Sequence, residues 1–367
     1  VVDDDLNLAL KPYGVFYPPT PASSRIATIG GEIGNNASGV RSVKYGATRD
    51  AVLGMKVVLP NGELVTLGAH TKVEASGYQL QKLMVGSEGT LGIVVEATLK
   101  FVPIPEFRCL GVANFDTLRD AGEAVAEIMS SGAEPSMLEL VDSVAIKAVN
   151  KTMNLGLKEV AAALIYEADG KVKEAVDYEI NKMQNICTKH KGMDIKSSYD
   201  PTERAKLFMG RKKLFPALSK YDDNLASTSL ADDMAVPYSK MADTAAKIHE
   251  TAEKHNIIMT AYGHCGSGCM HTKILMDTDR QDQWESARKA VAEIYEYVRS
   301  IKGTTSAEHG IGLSKAESFK KEKQDSLQIL QAIKKALDPN NILNPGKLMQ
   351  APDDWVTATD LRYSVNS

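Results

Sequence analysis

The sequence predicts an α+β fold in two parts, and three observations carry that prediction. Up to about residue 105 the chain is punctuated by glycine and proline between short β-branched runs. From residue 106 the rhythm changes to strands alternating with amphipathic helices. Two strand-helix-strand units then follow in succession, the pattern of a ferredoxin-like α+β sheet with helices on one face. The expected boundaries are 1–105, 106–316, a returning helix and segment over 317–350, and a tail over 351–367.

Asp5 to Tyr13 reads as a short helix with Leu6, Ala9 and Leu10 on one face, stopped by Gly14. Pro18-Pro19-Thr20-Pro21 forces an extended backbone, and Gly30 to Gly39 reads as loop, with four glycines and two asparagines. Val52 to Leu59 and Glu63 to Leu67, joined through Asn61-Gly62, read as a hairpin with a type I′ turn. Gly86 to Gly92 is a second glycine-rich segment, entering a strand over Ile93 to Ala97. Beyond it, strands are expected at Leu110 to Ala113, Met137 to Val141, Ala163 to Tyr166 and Asp194 to Lys196. The intervening helices are striped by Leu118, Ala121, Val125 and Ile128, and by Val172, Val176, Ile180 and Met183. Helices are expected over Thr202 to Leu218, Ser239 to His255, Arg280 to Ile301 and Ser318 to Leu337.

Composition narrows the function classes. Forty-three Lys and Arg against 47 Asp and Glu give a net charge of -4, so no global basic field draws nucleic acid or anionic lipid. Four cysteines are too few for a disulfide scaffold in 367 residues and suit a reducing, cytoplasmic setting. No run of apolar residues is long enough for a membrane span, which leaves at most a peripheral association with a membrane.

The chemistry concentrates in a few segments. His264 and His271 lie seven residues apart across a glycine-broken loop, and Glu308-His309-Gly310-Ile311-Gly312 supplies a carboxylate beside another imidazole. Two histidines and a glutamate suit a zinc, manganese or iron site with open positions. Cys265 and Cys269 with the same two histidines offer a rival Cys2His2 arrangement, and each histidine alone could be an ordinary core or capping residue. The glycine-rich segments contain neither a GxGxxG nor a GxxxxGK[ST] motif, yet bare amides and small hydroxyls in two places suit a wrapped diphosphate.

These residues resemble a known family. Pro18-Pro19-Thr20-Pro21-Ala22-Ser23-Ser24, Ala27-Thr28-Ile29-Gly30-Gly31, Asn36-Ala37-Ser38-Gly39, Lys44-Tyr45-Gly46 and Arg49-Asp50 look like the FAD-binding domain of vanillyl-alcohol-oxidase type flavoproteins. Val85 to Ile93, Gly263 to His271, Glu308 to Gly312 and Asp338 to Lys347 follow in the order of the D-lactate dehydrogenase and glycolate oxidase large-subunit branch. The resemblance implies the C-terminal half of a PCMH-type FAD-binding domain followed by the ferredoxin-like substrate domain. It also implies roughly 100 family residues ahead of the position where Val1 stands, about the length of a small domain.

The resemblance implies residue roles as well. FAD would be held by Pro19, Thr28, Gly30, Gly31, Asn36, Ser38, Gly39, Gly86, Ser87, Glu88, Gly89, Thr90, Gly92 and Ile93, with Asn344 near the isoalloxazine. His264, His271 and Glu308 would hold the divalent metal, His309 would take the substrate hydroxyl proton, and Arg211 would bind the substrate carboxylate. The implied reaction is oxidation of a D-2-hydroxy acid, D-lactate or glycolate in type, to the 2-oxo acid. Electrons would then pass to an electron-transfer flavoprotein, a quinone or an iron-sulfur subunit, in a homo-oligomer or a larger complex. Two departures stand out: Ser267 and Cys269 occupy the places of the family's Asp and Asn in Gly-His-x-Gly-Asp-Gly-Asn-x-His, and Ala231 stands where some relatives have a substrate-contacting lysine. A non-catalytic structural subunit of an electron-transfer complex and a flavin-free metalloenzyme are the alternatives.

Overall fold

The computed structural model describes residues 1–230 and 232–351. Ala231 and the expected tail beyond Ala351 lie outside the described residues. The chain divides into two compact units, one formed by Val1–Ile104 together with the chain from Glu308 onward, the other by Pro105–Ala307.

In the first unit, strands Val52–Val58, Leu64–Gly68 and Ile93–Leu99 form an antiparallel sheet with the first of them in the centre. Its core gathers Tyr17, Ile33, Val52, Met55, Val57, Met84 and Leu91, and Ile333 and Leu337 of helix Leu327–Leu337 pack against it. The hairpin is in place, but its turn is not type I′. Only Gly62 has a positive φ, and Gly62 N–H donates to Leu59 O at 2.9 Å. Pro60 fixes a negative φ at the first turn position, which a type I′ turn excludes, so glycine is needed only where the chain re-enters the strand.

The expected loop over Gly30 to Gly39 is a helix in its first half, Ile29–Asn35. Three glycines argue against a helix by propensity. The helix forms because the Thr28 hydroxyl accepts Gly31 N–H at 3.1 Å, because Ile29 and Ile33 are buried one turn apart, and because Asn36 adopts the left-handed conformation that ends it.

The second unit is built on an eight-stranded sheet. Phe107–Phe115, Met137–Asp142, Ala162–Gly170 and Met193–Ser198, with helices Leu118–Ser130 and Lys173–Lys189 between them, run side by side in the antiparallel order second, third, first, fourth. That is the ferredoxin-like arrangement. Ile258–Gly263, Cys269–Met276 and Ala226–Thr228 extend it beyond Met137–Asp142, and Met234–Ala235 pairs with Cys269–Met276. The core runs through Phe115, Ile128, Leu138, Leu140, Leu164, Tyr166, Met183, Ile248, Met270 and Ile294.

Two expected long helices are interrupted. Thr202 to Leu218 is Pro201–Lys212 followed by Leu214–Leu218, because Pro216 cannot donate the bond that would continue the helix past Lys212. Ser318 to Leu337 is Ala316–Glu322 and Leu327–Leu337, separated by a polar turn in which Ser326 N–H donates to Lys323 O at 2.9 Å. Residues 308–316, placed by the sequence reading with the substrate domain, group with the first unit. There the Glu88 carboxylate accepts Ile311 N–H at 2.6 Å and Gly312 N–H at 2.8 Å.

Candidate functional site

The first unit brings together the segments expected to hold FAD. Gly86 N–H donates to Ile33 O at 2.8 Å and Glu88 N–H to Gly34 O at 2.9 Å, so the second glycine-rich turn is sewn onto the end of the Ile29–Asn35 helix. Asn344 Nδ2 donates to Glu88 O at 2.5 Å, drawing in the returning C-terminal segment. That segment is anchored by Lys334, which is buried and donates to Thr90 O at 2.9 Å, to Leu343 O at 2.8 Å and to the Asp338 carboxylate. Ser38, itself buried, donates its hydroxyl to Glu308 Oε2.

Space separates the expected FAD residues into two groups. A Cβ on Gly39 would lie 2.0 Å from Thr20 O, and one on Gly92 would lie 2.4 Å from Val57 Cγ1, so these glycines serve close packing of the protein itself. A Cβ on Gly30 or Gly89 would meet nothing within 4 Å, and the same holds for Gly34, which was not among the expected residues. Their backbone is open for a ligand to approach closely, which is the fit a dinucleotide needs. Gly31 carries the bond to the Thr28 cap, Gly86 lies against Arg49 and Asn36, and Asn36 Oδ1 accepts Arg49 N–H at 2.9 Å. Thr90 gives its hydroxyl to Ser87 O at 2.7 Å, and the Glu88 side chain is used within the protein as described above. Pro19 is buried, whereas Ile93 is exposed.

In the second unit, strands Ile258–Gly263 and Cys269–Met276 pair so that Tyr262 stands opposite His271. The turn between them returns His264 to the same end of the sheet, and the His264 and His271 rings lie 5.2 Å apart, edge to face. The seven-residue spacing therefore does bring both imidazoles together. Met137–Asp142 lies alongside, every residue of it buried, and carries Glu139 among apolar neighbours. His264 Nδ1 is 2.6 Å from Glu139 Oε1, and Arg211 Nε donates to Glu139 Oε2 at 2.7 Å. Burial alone would raise the Glu139 carboxyl, but its interactions with His264 and Arg211, hydrogen bonds to both included, outweigh it and hold the group below the usual carboxylate range. Arg211 also stacks over the Tyr262 ring at 5.1 Å.

His271 is oriented separately, with Nδ1 3.2 Å from Asp232 Oδ1, while Lys273 Nζ donates to Asp232 Oδ2 at 2.5 Å. Asp233 follows in the left-handed conformation, φ 73°, and is buried; its carboxylate accepts Ser306 Oγ–H at 3.0 Å and Ala307 N–H at 3.1 Å. Asp233 and His271 each offer a ligand atom within 4.8 Å of the other. Imidazole nitrogens beside a carboxylate are a donor set that zinc, manganese or iron accepts. The Cys2His2 alternative is disfavoured at Cys265, whose thiol donates to Leu138 O at 3.2 Å, and burial raises its pKa well above the ordinary value. Cys269 Sγ lies 3.7 Å from His271 Nε2. Ser267, in the place of the family's Asp, gives its hydroxyl to His264 O at 3.0 Å.

Glu308 and His309 belong to the first unit, with His309 Nε2 3.7 Å from Glu308 Oε1 and the His309 side chain about half exposed. Sequence reasoning missed Glu139, Asp232 and Asp233. An acid inside an otherwise apolar strand, as in Met137-Leu138-Glu139-Leu140-Val141, was the signal that could have found the first of them.

Comparison with known proteins adds lineage to this geometry. A family profile described as "FAD linked oxidases, C-terminal domain" matches residues 104–348, and one described as "FAD binding domain" matches residues 1–68. Glycolate oxidase subunit GlcD of Bacillus subtilis is 36% identical over 350 residues, 95% of this chain and 73% of the relative. The mitochondrial D-lactate dehydrogenase [cytochrome] of Arabidopsis thaliana is 35% identical over 347 residues, 94% of this chain and 60% of the relative. The chain thus spans 73% and 60% of the length of these two relatives. Among solved structures, p-cresol methylhydroxylase shares the fold at a TM-score of 0.73 and 17% identity, covering 95% of this chain and 74% of that one. The 4-ethylphenol oxidase from Gulosibacter chungangensis does so at a TM-score of 0.72 and 16% identity, covering 96% and 76%. On the extent of the C-terminal match and the identity to its relatives, the chain belongs to the FAD linked oxidases.

Proposed function

We propose that the protein oxidises a D-2-hydroxy acid of the D-lactate or glycolate type to the 2-oxo acid, with FAD as hydride acceptor. The observation that carries the reading is the cluster of Arg211, Glu139, His264 and His271 at one end of the second unit's sheet. One carboxylate-binding cation and two imidazoles are what a hydroxy acid needs, one for its acid group and two to hold an ion against its hydroxyl. Names of relatives support the same substrate class, since they include a glycolate oxidase subunit and D-lactate dehydrogenases.

Arg211 binds the substrate carboxylate: its Nε–H goes to Glu139, and a guanidinium carries four further N–H donors in the fork that suits a carboxylate. In the second unit, His264 and His271 would hold a divalent ion, zinc, manganese or iron, with Asp233 as an additional carboxylate, and Glu308 would be the further ligand that the family resemblance implies. Such an ion would lower the pKa of a bound hydroxyl, and FAD would accept the hydride; those are the contributions of the two groups. His309, exposed and next to Glu308, takes the hydroxyl proton, a role for which an imidazole is suited near neutral pH. Gly30, Gly34 and Gly89 present open backbone to the cofactor, and Asn344 positions the returning segment over the Glu88 turn. Electrons leave to a flavoprotein, a quinone or an iron-sulfur subunit, and the protein works as a homo-oligomer or within a complex.

The test is anaerobic reduction of the FAD-loaded protein by D-lactate, glycolate and D-2-hydroxyglutarate. Reduction by at least one of them is expected. A chain that holds FAD and is reduced by none would favour the second reading, a structural subunit of an electron-transfer complex, to which Ser267 and Cys269 in the places of the usual Asp and Asn give some weight.

A further inference from the structure

Glu139 is a charge in a place that chain folding disfavours. It sits in the middle of Met137–Asp142, fully buried, flanked by Leu138 and Leu140, which are core residues. A carboxylate there costs several kcal/mol in lost hydration unless it is both paired and hydrogen-bonded. An apolar residue would fill the same strand without that penalty, so the acid has to be explained by what it holds.

It holds two groups from two other elements. Arg211 reaches it from the last turn of helix Pro201–Lys212, and His264 from the turn after strand Ile258–Gly263. Each oxygen takes one of them: Oε2 accepts from Arg211 Nε and Oε1 from His264 Nδ1. A guanidinium is planar and always charged, so fixing Nε fixes the plane in which its remaining donors lie. Tyr262 adjoins the arrangement, its ring 5.1 Å from the Arg211 guanidinium and 5.5 Å from the His271 ring. For His264, donation from Nδ1 to a carboxylate places the lone pair of the neutral ring on Nε2, the nitrogen that would bind a metal.

We infer that Glu139 is the positioning residue of this site: one buried carboxylate sets both the metal-binding tautomer of His264 and the orientation of Arg211, so metal affinity and substrate-carboxylate affinity depend on the same side chain. This rests on the function proposed above, in which His264 is a ligand and Arg211 the carboxylate anchor. It makes a joint loss the diagnostic. Glutamine at 139 has one acceptor oxygen and one NH2, so with Arg211 Nε–H on the oxygen the NH2 faces His264 Nδ1, which must either accept from it, moving the ring proton to Nε2, or turn away.

The experiment uses the full chain and reads binding. Zinc affinity is measured by competition with a chromophoric chelator, and binding of oxalate to the zinc-loaded protein by calorimetry. Glu139→Gln is expected to weaken zinc by about 10- to 100-fold, the usual effect of losing a ligand's orienting partner, and to weaken oxalate by a similar factor. Glu139→Asp, which keeps the charge but is shorter, is expected to recover part of one affinity and not both. If wild type binds zinc and oxalate and Glu139→Gln binds them equally well, the positioning role is wrong while the proposed function stands; if wild type binds no zinc, both fall. Should the variants fail to fold, nitrogen NMR of histidine-labelled wild type gives the same decision. His264 protonated on Nδ1 supports the inference, and His264 protonated on Nε2 overturns it.

Discussion

Replacing Glu32 by glutamine is expected to remove a loss of stability that the first unit suffers as pH rises. Glu32 and Asp3 are both buried, with Tyr17 beside Glu32, and Asn7 Nδ2 donates to Asp3 Oδ1 at 2.5 Å. Burial pushes Glu32 up to about 8, with the neighbouring Asp3 charge adding to it, and burial likewise raises Asp3 to about 6. Both folded values lie above the ordinary ones, so protonation favours the folded state. The stabilisation is complete below the ordinary carboxylate pKa, falls by about 1.4 kcal/mol per pH unit for each proton, and is gone above the folded value. For Glu32 the window runs from about 4.5 to about 8. The full shift corresponds to about 5 kcal/mol; allowing for water reaching the pair and for the proton it shares with Asp3 leaves about 2 to 3 kcal/mol.

Hydrogen exchange at peptides covering Ile29–Asn35 and Val52–Val58, corrected for intrinsic exchange rates, reads this directly. In wild type, protection should fall about thirtyfold or more between pH 5 and pH 8.5, a figure that follows from about 1.4 kcal/mol per factor of ten. Glu32→Gln should show a much flatter profile. Parallel profiles for wild type and variant would refute the reasoning.

Other outcomes follow from the same contacts. Gly39→Ala drives a methyl against Thr20 O and should destabilise the first unit by about 2 kcal/mol or more, read as earlier loss of helicity on heating. Lys334→Met leaves the buried Asp338 carboxylate without its cation and should cost about 3 kcal/mol, with raised exchange in the 338–348 segment. Arg211→Lys should raise KM for the hydroxy acid by roughly 10- to 100-fold, more than it lowers kcat, because a point charge replaces a fork. His309→Ala should slow flavin reduction about 100-fold or more while leaving bound FAD in place, as stopped-flow absorbance would show.

Much of the architecture was legible because periodic burial leaves periodic sequence. The two strand-helix-strand units declared themselves through stripes such as Leu118, Ala121, Val125 and Ile128, of which the last three are buried and Leu118 packs against the core they join. The Ile29–Asn35 helix did not, since its glycines speak against a helix and the features that rescue it, the Thr28 cap and the Ile29 and Ile33 pair, occupy single positions. Pro216 could have been read as a helix break, but the apolar residues around it masked the interruption. At the candidate site the histidines were legible through their glycine setting and Glu139 could have been found from its apolar flanks, whereas Asp232 and Asp233 were not legible, because an acid in a loop looks the same in sequence whether it is solvated or buried. Glu88 was expected at the cofactor, and its clasp on Ile311 and Gly312 joins segments more than 200 residues apart, which no local pattern encodes.

The central claim is that the protein passes a hydride from a D-2-hydroxy acid to FAD. The most direct measurement is the visible spectrum of the FAD-loaded full chain during anaerobic titration with D-lactate and glycolate. Loss of the oxidised-flavin absorbance, with one equivalent of 2-oxo acid formed per FAD reduced, is the predicted result. An unchanged spectrum with FAD bound and both acids in excess would contradict it.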